Sequence, residues 1–320
     1  MTRLAKVTAF LSALTLSGIA KGDVLVSNEI IRPIEELSPV QPILIEAMDL
    51  INRGDLDQAA SKLMAFKPSN DLDTGWVSYL SGIIAFGRQD YSGGMTLLQT
   101  PYTSLKGEPS RYDSNYHRLV AKCLKKVGWN FRRLKEYEKA YTNHSVVYQI
   151  YERYGAFAEL HDAAISLDVD SFFLGDMELD EYWLGKSIEA GDRIPEGKRK
   201  SAALGTSYNN LAGTLYGLVR FENSEQSIKR SFDYWSSYEE VAGTSENKLV
   251  WAYFGIGDVY QTWAQHLRDK RDVSACEAKK AQASNAYNQA LQLSVVRAMN
   301  DDDISSIKSR VDEVAAISCQ

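Results

Sequence analysis

The chain has 320 residues, of which 44% are apolar, 24% charged and 11% aromatic, with 21 glycines and 7 prolines. This balance is typical of a globular protein and excludes the disordered, collagen-like and small disulfide-scaffold classes. The formal net charge of −6 offers no basic surface of the kind that nucleic-acid binding needs, so we expect no nucleic-acid partner.

Residues 1–20 have the pattern of a signal peptide. Arg3 and Lys6 make a basic start, an uncharged apolar stretch follows, and Gly18 and Ala20 place small side chains before the expected cleavage point. A membrane anchor is the alternative, but the 14 apolar residues span only about 21 Å as a helix, less than the hydrocarbon core of about 30 Å. We predict an exported protein, periplasmic or secreted, with no integral membrane segment in its mature chain.

The mature chain is predicted to be all-α. All seven prolines lie where helical periodicity starts or stops, and residues 110–194 and 196–320 contain none. These stretches lack the alternation of half-buried strands and are rich in strong helix formers. Residues 21–39 are predicted to be an extended leader into the first helix.

Paired helices with small residues at their crossing recur along the sequence. Residues 40–68 predict two helices joined by a turn at Gly54 and Asp55, with Ala47 midway along the first helix and Ala59 early in the second. This unit resembles a tetratricopeptide repeat (TPR), in which two helices cross where there is no space for a large side chain. Similar small residues recur in four further units: Gly82 with Gly94, Ala121 with Ala140, Ala212 with Ser231, and Gly257 with Ala283 and Ala290.

The resemblance implies a right-handed α-α superhelical solenoid, of an exported bacterial type with degenerate repeats. The first small residues of the units are 35, 39, 91 and 45 residues apart, against about 34 for the family. We assign TPR-like repeats to residues 40–142 and 199–293, with an insertion at 264–280, degenerate helical pairs to 143–198, and a capping helix to 294–320. An unrelated helical bundle is the alternative, although repeated small-residue phasing is unusual in bundles.

The resemblance also implies a function. In this family the first helices of successive pairs build a concave groove for a peptide or partner protein. Thr206, Asn209 and Asn210 are therefore the candidate partner-binding residues. Asn210 precedes the inward-facing Leu211, where family members use an asparagine to hydrogen-bond a ligand backbone.

Other units have apolar or small residues at the place of Asn210, namely Ile45, Leu80, Leu119 and Gly255. The sequence therefore predicts an apolar groove that suits a hydrophobic peptide.

No motif for catalysis, cofactor or metal binding is found, so we predict no enzyme and no cofactor. Four histidines lie far apart in the sequence, and we expect surface or groove residues rather than metal ligands: His117, His144, His161 and His266. The acidic segment 168–181 is predicted to be a solvated loop and a helix start, with Asp176 and Glu178 at the helix N-terminus.

A cell-envelope carbohydrate-binding or wall-modifying protein that uses an inter-segment cleft is the alternative function. Six tryptophans offer stacking surfaces for it, or core packing: Trp76, Trp129, Trp183, Trp235, Trp251 and Trp263. Two basic clusters, around Lys125 and Lys198, either contact an anionic partner or are solvated helix faces. The sequence leaves these alternatives, the partner's identity and the oligomeric state open.

The three cysteines predict one disulfide, between Cys276 and Cys319, with Cys123 as a buried free thiol. The final two helices are expected to be antiparallel, with Cys276 17 residues before their loop and Cys319 17 residues after it. Both then lie about 25 Å from the same turn, at matching height. The capping helix is expected to start at Asp301 to Asp303 and to have an apolar seam at Ile304, Ile307, Val311 and Val314.

Overall fold

A computed structural model describes residues 41–107, 112–244 and 246–320. The predicted signal peptide and leader lie outside these ranges. Within the ranges the chain forms thirteen α-helices and no strand. The helices are α1 (Pro42–Asn52), α2 (Leu56–Ala65), α3 (Asp71–Gly87), α4 (Tyr91–Gly107), α5 (Ser114–Arg133), α6 (Tyr137–Tyr154), α7 (Phe157–Leu174), α8 (Met177–Asp192), α9 (Lys198–Gly217), α10 (Phe221–Ala242), α11 (Lys248–Asp269), α12 (Val273–Val296) and α13 (Asp301–Ala315).

The helices form two compact units, divided inside α5 between Asn130 and Phe131. In the first unit, α1 packs on α2 and α3 on α4, and α3 also contacts α1 and α2. In the second unit the pairs α7 with α8, α9 with α10 and α11 with α12 stack in sequence, and α9 contacts both α7 and α11. Helix α13 packs on α12 as a C-terminal cap. The predicted all-α solenoid of TPR-like helical pairs with a capping helix is confirmed.

One kind of turn ends the first helix of every pair. Its central residue has a left-handed backbone, with φ between 61° and 85°, at Gly54, Gln89, Lys135, Gly175, Val219 and Arg271. In five of the six pairs, buried small residues lie seven positions before and five positions after that residue. These are Ala47 and Ala59, Gly82 and Gly94, Gly128 and Ala140, Ala212 and Ser224, and Ala264 and Cys276.

In the pairs α3–α4 and α9–α10, these residues bring the two helices together. A Cβ on Gly82 would lie 3.1 Å from the carbonyl oxygen of Gly94. In the α9–α10 pair, the Ser224 hydroxyl donates to the Ala212 carbonyl oxygen at 2.7 Å. A larger side chain at either position would push the helices apart.

The small-residue register predicted from the sequence is therefore wrong in two units. The predicted Ser231 and Gly257 lie seven residues from the crossing positions, which are Ser224 and Ala264. Ser231 instead donates a hydrogen bond to the Gly205 carbonyl oxygen, and both residues lie seven positions from the crossing residues of the α9–α10 pair. Residues seven apart share a helix face, so periodicity alone cannot separate them.

The C-terminal cap follows the predicted pattern. Ile307 and Val314 of α13 are buried against α12, and Ile304 and Val311 pack beside them. The predicted disulfide is also confirmed, since Cys276 and Cys319 are bonded with their Cα atoms 5.8 Å apart. Cys123 is the buried free cysteine.

Candidate functional site

The candidate residues on α9 divide between an open face and a packed face. Thr206 and Asn209 lie on the open face with Gly213, at the i, i+3 and i+7 spacing of one side of a helix. We call these three residues the α9 strip. Asn209 is exposed, and its side chain forms no hydrogen bond within the described ranges. The Thr206 hydroxyl donates to the Ala202 carbonyl oxygen at 2.9 Å.

Glycines leave space beside Asn209. A Cβ on Gly213 would approach only the Tyr216 ring, at 4.0 Å. On the neighbouring first helix α11, a Cβ on Gly255 would lie 3.4 Å from Asn209 Oδ1. The strip is therefore an open surface of α9 that lies beside α11.

Asn210 lies on the packed face of α9. Its Nδ2 donates to Asp168 Oδ2 of α7 at 2.9 Å, and the residue is half-buried. The Asn210 amide, which the sequence analysis expected to bind a ligand, thus binds an aspartate of the same unit.

The predicted apolar groove needs a correction as well. Leu80 and Leu119 are only 1% and 0% exposed, so they belong to the core of the first unit and line no groove. Ile45 is exposed and Gly255 is half-buried. On α9 the open surface is polar, because Thr206 and Asn209 form it.

Two aspartates lie beneath the strip, at the crossing of α7 and α8. Asp168 and Asp180 are seven positions before and five positions after Gly175, where the other pairs have small uncharged residues. Asp180 Oδ2 accepts a hydrogen bond from the Thr214 hydroxyl at 2.8 Å. Both aspartates are bonded to α9, since Asp168 also accepts from Asn210.

The pKa of Asp168 is raised to about 9. Burial is the largest cause, and the hydrogen bond with Asp180 and its charge act in the same direction. Asn210 and Arg132 partly offset this by favouring the ionised form. The surroundings of Asp168 therefore favour its protonated form.

A third buried carboxylate lies nearby with a cation. Asp170 Oδ1 accepts from Arg132 Nε at 2.7 Å, and its Oδ2 lies 2.5 Å from His144 Nδ1. The Arg132 guanidinium also donates to the Ser166 carbonyl oxygen at 2.7 Å. These bonds fix Arg132 at the end of α5 against α7.

A further polar contact joins the same helices. His161 Nε2 of α7 lies 3.0 Å from the Ala203 carbonyl oxygen and 2.9 Å from Ser207 Oγ. The Ser207 hydroxyl also donates to the Ala203 carbonyl oxygen, at 3.1 Å. Ser187 of α8 donates to Ser207 at 2.8 Å, so the network reaches three helices.

Two sequence-based expectations about polar residues are wrong. His117, His144 and His161 are buried rather than on the surface. The acidic segment 168–181 is not a solvated loop, because Asp168 and Asp180 are buried, as is Asp170. Periodicity could not reveal this burial, although the spacing of two aspartates around Gly175 matched that of the small-residue pairs.

Helix α8 starts within that segment, and Asp176 lies at its N-terminus as predicted. The Asp176 side chain accepts a hydrogen bond from the Leu179 backbone N–H at 2.9 Å. Glu178 is exposed in the first turn of α8.

The tryptophans and basic clusters are mixed in their exposure. Trp76, Trp183 and Trp235 are buried, whereas Trp129 and Trp251 are 49% and 38% exposed and Trp263 is half-buried. Lys198 lies 5.1 Å from the centre of the Tyr238 ring, and Lys125 is half-buried.

Within the described ranges, no group of three or more His, Cys, Asp or Glu side chains is arranged to hold a metal ion. None of the described helices combines the length and the apolar character that a membrane crossing requires.

Comparison with known proteins places the chain in a structural class. No protein-family profile and no curated protein sequence matches it. The solved structure of BtubC (BKLC) from P. vanneervenii is 16% identical, with a TM-score of 0.53 over 77% of this chain and 91% of that chain. At this identity the likeness concerns the fold alone, and it agrees with a helical solenoid.

Two structures of the quorum sensor NprR are less similar. The apo form from B. thuringiensis is 12% identical, with a TM-score of 0.46 over 85% of this chain and 78% of that chain. The complex of NprR with its cognate peptide NprX is 11% identical, with a TM-score of 0.42 over 86% and 76% of the two chains.

Proposed function

We propose that the protein is an exported, non-enzymatic interaction scaffold that binds an extended peptide segment of a partner protein on the α9 strip. The observation that supports this most strongly is Asn209, an exposed amide without an internal hydrogen bond, beside a helix position that has no side chain.

The chemistry of the strip suits a peptide backbone. A side-chain amide both donates and accepts, so Asn209 can pair with the C=O and N–H of an extended chain. The Thr206 hydroxyl donates a hydrogen bond to the Ala202 carbonyl oxygen. The Thr206 oxygen can therefore still accept a hydrogen bond from a second backbone N–H of the peptide. Gly213 lets that backbone approach the helix closely, since no Cβ is in the way.

Threonine and asparagine side chains, which form the strip, are hydrogen-bonding groups that do not ionise near neutral pH. Their chemistry therefore suits binding. The Cys276–Cys319 disulfide supports export, since such bonds persist in oxidising compartments.

Phage display of random peptides against the mature protein would test the proposal. Selected peptides would be synthesised and titrated by calorimetry against the wild type and three variants. Asn209→Ala should weaken binding about fivefold, the cost of a hydrogen bond of about 1 kcal/mol. Gly213→Leu should block binding, because its side chain would fill the space above the strip.

Gly185→Leu is the matched control. Gly185 lies inside α8, and a Cβ there also meets nothing within 4 Å. Both leucine variants should therefore fold like the wild type, and only Gly213→Leu should lose the peptide. Equal affinity for the wild type, Asn209→Ala and Gly213→Leu would refute binding at the strip, and so would a failure of any peptide to be enriched.

A further inference from the structure

The crossing of α7 and α8 departs from the rule that the other pairs follow. Where the other five pairs have Ala, Gly, Ser or Cys, this pair has Asp168 and Asp180. Their exposed fractions are only 4% and 1%. Two carboxyl groups thus face each other in a buried interface, which is costly when both are ionised.

The hydrogen bonds around the pair leave one acceptor unsatisfied. Asp168 Oδ2 accepts from Asn210 and Asp180 Oδ2 accepts from Thr214. Asp180 Oδ1 is buried and receives no hydrogen bond from any donor in the described part of the chain. Asp168 is its hydrogen-bonding neighbour, and a carboxyl group can donate only when it is protonated.

No spare positive charge balances the pair. Arg132 faces it from the end of α5, but its Nε is bonded to Asp170, which also contacts His144 of α6. Helix α9 presents only the uncharged Asn210 and Thr214 to the two aspartates. Within the described ranges, Arg132 therefore acts on Asp168 while it is bonded to Asp170, and a proton on the pair is the simplest compensation.

We propose that Asp168 and Asp180 form a proton-binding site, in which the two carboxyl groups share one proton through an O–H donated by Asp168 to Asp180 Oδ1. The shared proton holds α7 against α8. Its release leaves two negative charges at the crossing, which separates the two helices and disturbs Asn210, next to Asn209 of the α9 strip. Alkaline solution should therefore loosen the second unit at this crossing. Burial raises the pKa of Asp168 to about 9, in agreement with a proton retained at neutral pH.

Infrared spectroscopy of the mature protein in D₂O would test the proposal without any peptide, so the result is independent of the proposed function. At neutral pH the wild type should show the carbonyl band of a protonated carboxyl group, and the band should disappear near pH 9. Asp168→Asn should lack the band. Asp73→Asn is the matched control and should keep it, because Asp73 is buried but accepts two hydrogen bonds from Ser69.

Titration of the wild type alone decides the question if a variant does not fold. A band that is absent at neutral pH, or that titrates near pH 4 like an ordinary carboxyl group, would overturn the proposal. Calcium or magnesium chloride is the second probe. Stabilisation of the wild type but not of Asp168→Asn by either cation would mean that the pair holds a metal ion instead, and would equally overturn the proposal.

Discussion

The disulfide between Cys276 and Cys319 allows the contribution of one crosslink to be measured with little change in packing. Cys276 occupies a crossing position that holds alanine in the α1–α2 pair, at Ala59. Replacing Cys276 and Cys319 with alanine therefore keeps a side chain that this crossing accepts. The bond joins residues 43 positions apart. In the chain-entropy model, closing a loop of that length stabilises the folded state by about 4 kcal/mol.

Denaturant unfolding of the double alanine variant should show a loss of this size relative to the oxidised wild type. A reductant should lower the stability of the wild type and leave the variant unchanged. In the double alanine variant, hydrogen exchange should increase most, relative to the oxidised wild type, around Ile317. The carbonyl oxygen of Ile317 accepts a hydrogen bond from Lys280 at 2.6 Å, beside the crosslink. Thiol counting on the denatured, unreduced wild type should give one free thiol, from Cys123.

Three free thiols would show that the bond does not form. A loss below about 1 kcal/mol with one free thiol would refute the entropic argument while leaving the bond in place. Cys123→Ala is the control: its unfolding should remain as sensitive to reductant as that of the wild type.

Three further predictions follow from buried groups. The pKa of Asp168 is raised in the folded state, so this group's stabilisation is greatest below about pH 4 and falls by about 1.4 kcal/mol per pH unit up to about pH 9. The free energy of unfolding of Asp168→Asn should lack this fall between about pH 4 and pH 9. If it instead fell in parallel with that of the wild type, the prediction would be wrong. Arg297→Ala should destabilise the folded protein by about 3 kcal/mol, because the buried Glu239 carboxylate, 5% exposed, loses two guanidinium hydrogen bonds. Thermal unfolding measures this, and an unchanged melting temperature would disprove it. Gly82→Ala should lower stability by about 2 kcal/mol despite the higher helix propensity of alanine, because its Cβ meets the Gly94 carbonyl oxygen at 3.1 Å, and a more stable variant would refute that contact.

The helical architecture was predictable because local signals repeat. Small residues, the Gly54 turn and long proline-free stretches identify helical pairs without any knowledge of long-range contacts. Pro101 is an exception to the predicted proline placement, because it lies inside α4. The exact register was less accessible. A left-handed residue with a side chain, such as Val219 or Arg271, gives no sequence signal comparable to glycine, so the turn that defines the register is hidden.

The polar residues were the least predictable part. Whether Asn210 meets a ligand or a carboxylate depends on Asp168, 42 positions earlier in the chain. The burial of the α7–α8 aspartates depends on a proton and on hydrogen bonds from α9, which periodicity does not encode. Of the three candidate residues, Asn210 is therefore bonded inside the second unit, and Thr206 and Asn209 remain candidates for partner binding.

The constant spacing at the helix crossings restricts where the chain can change length. The left-handed residues that end the first helices, from Gly54 to Arg271, are successively 35, 46, 40, 44 and 52 positions apart. By contrast, the two residues that lie seven positions before and five positions after each of them are always twelve apart. One residue inserted within that interval would rotate a crossing side chain by about 100° out of the interface. Residues inserted beyond it only extend a helix or its connection to the next pair. Evolutionary insertions and deletions in relatives of this protein should therefore cluster outside the crossing intervals, where they alter the reach of a repeat without altering its assembly.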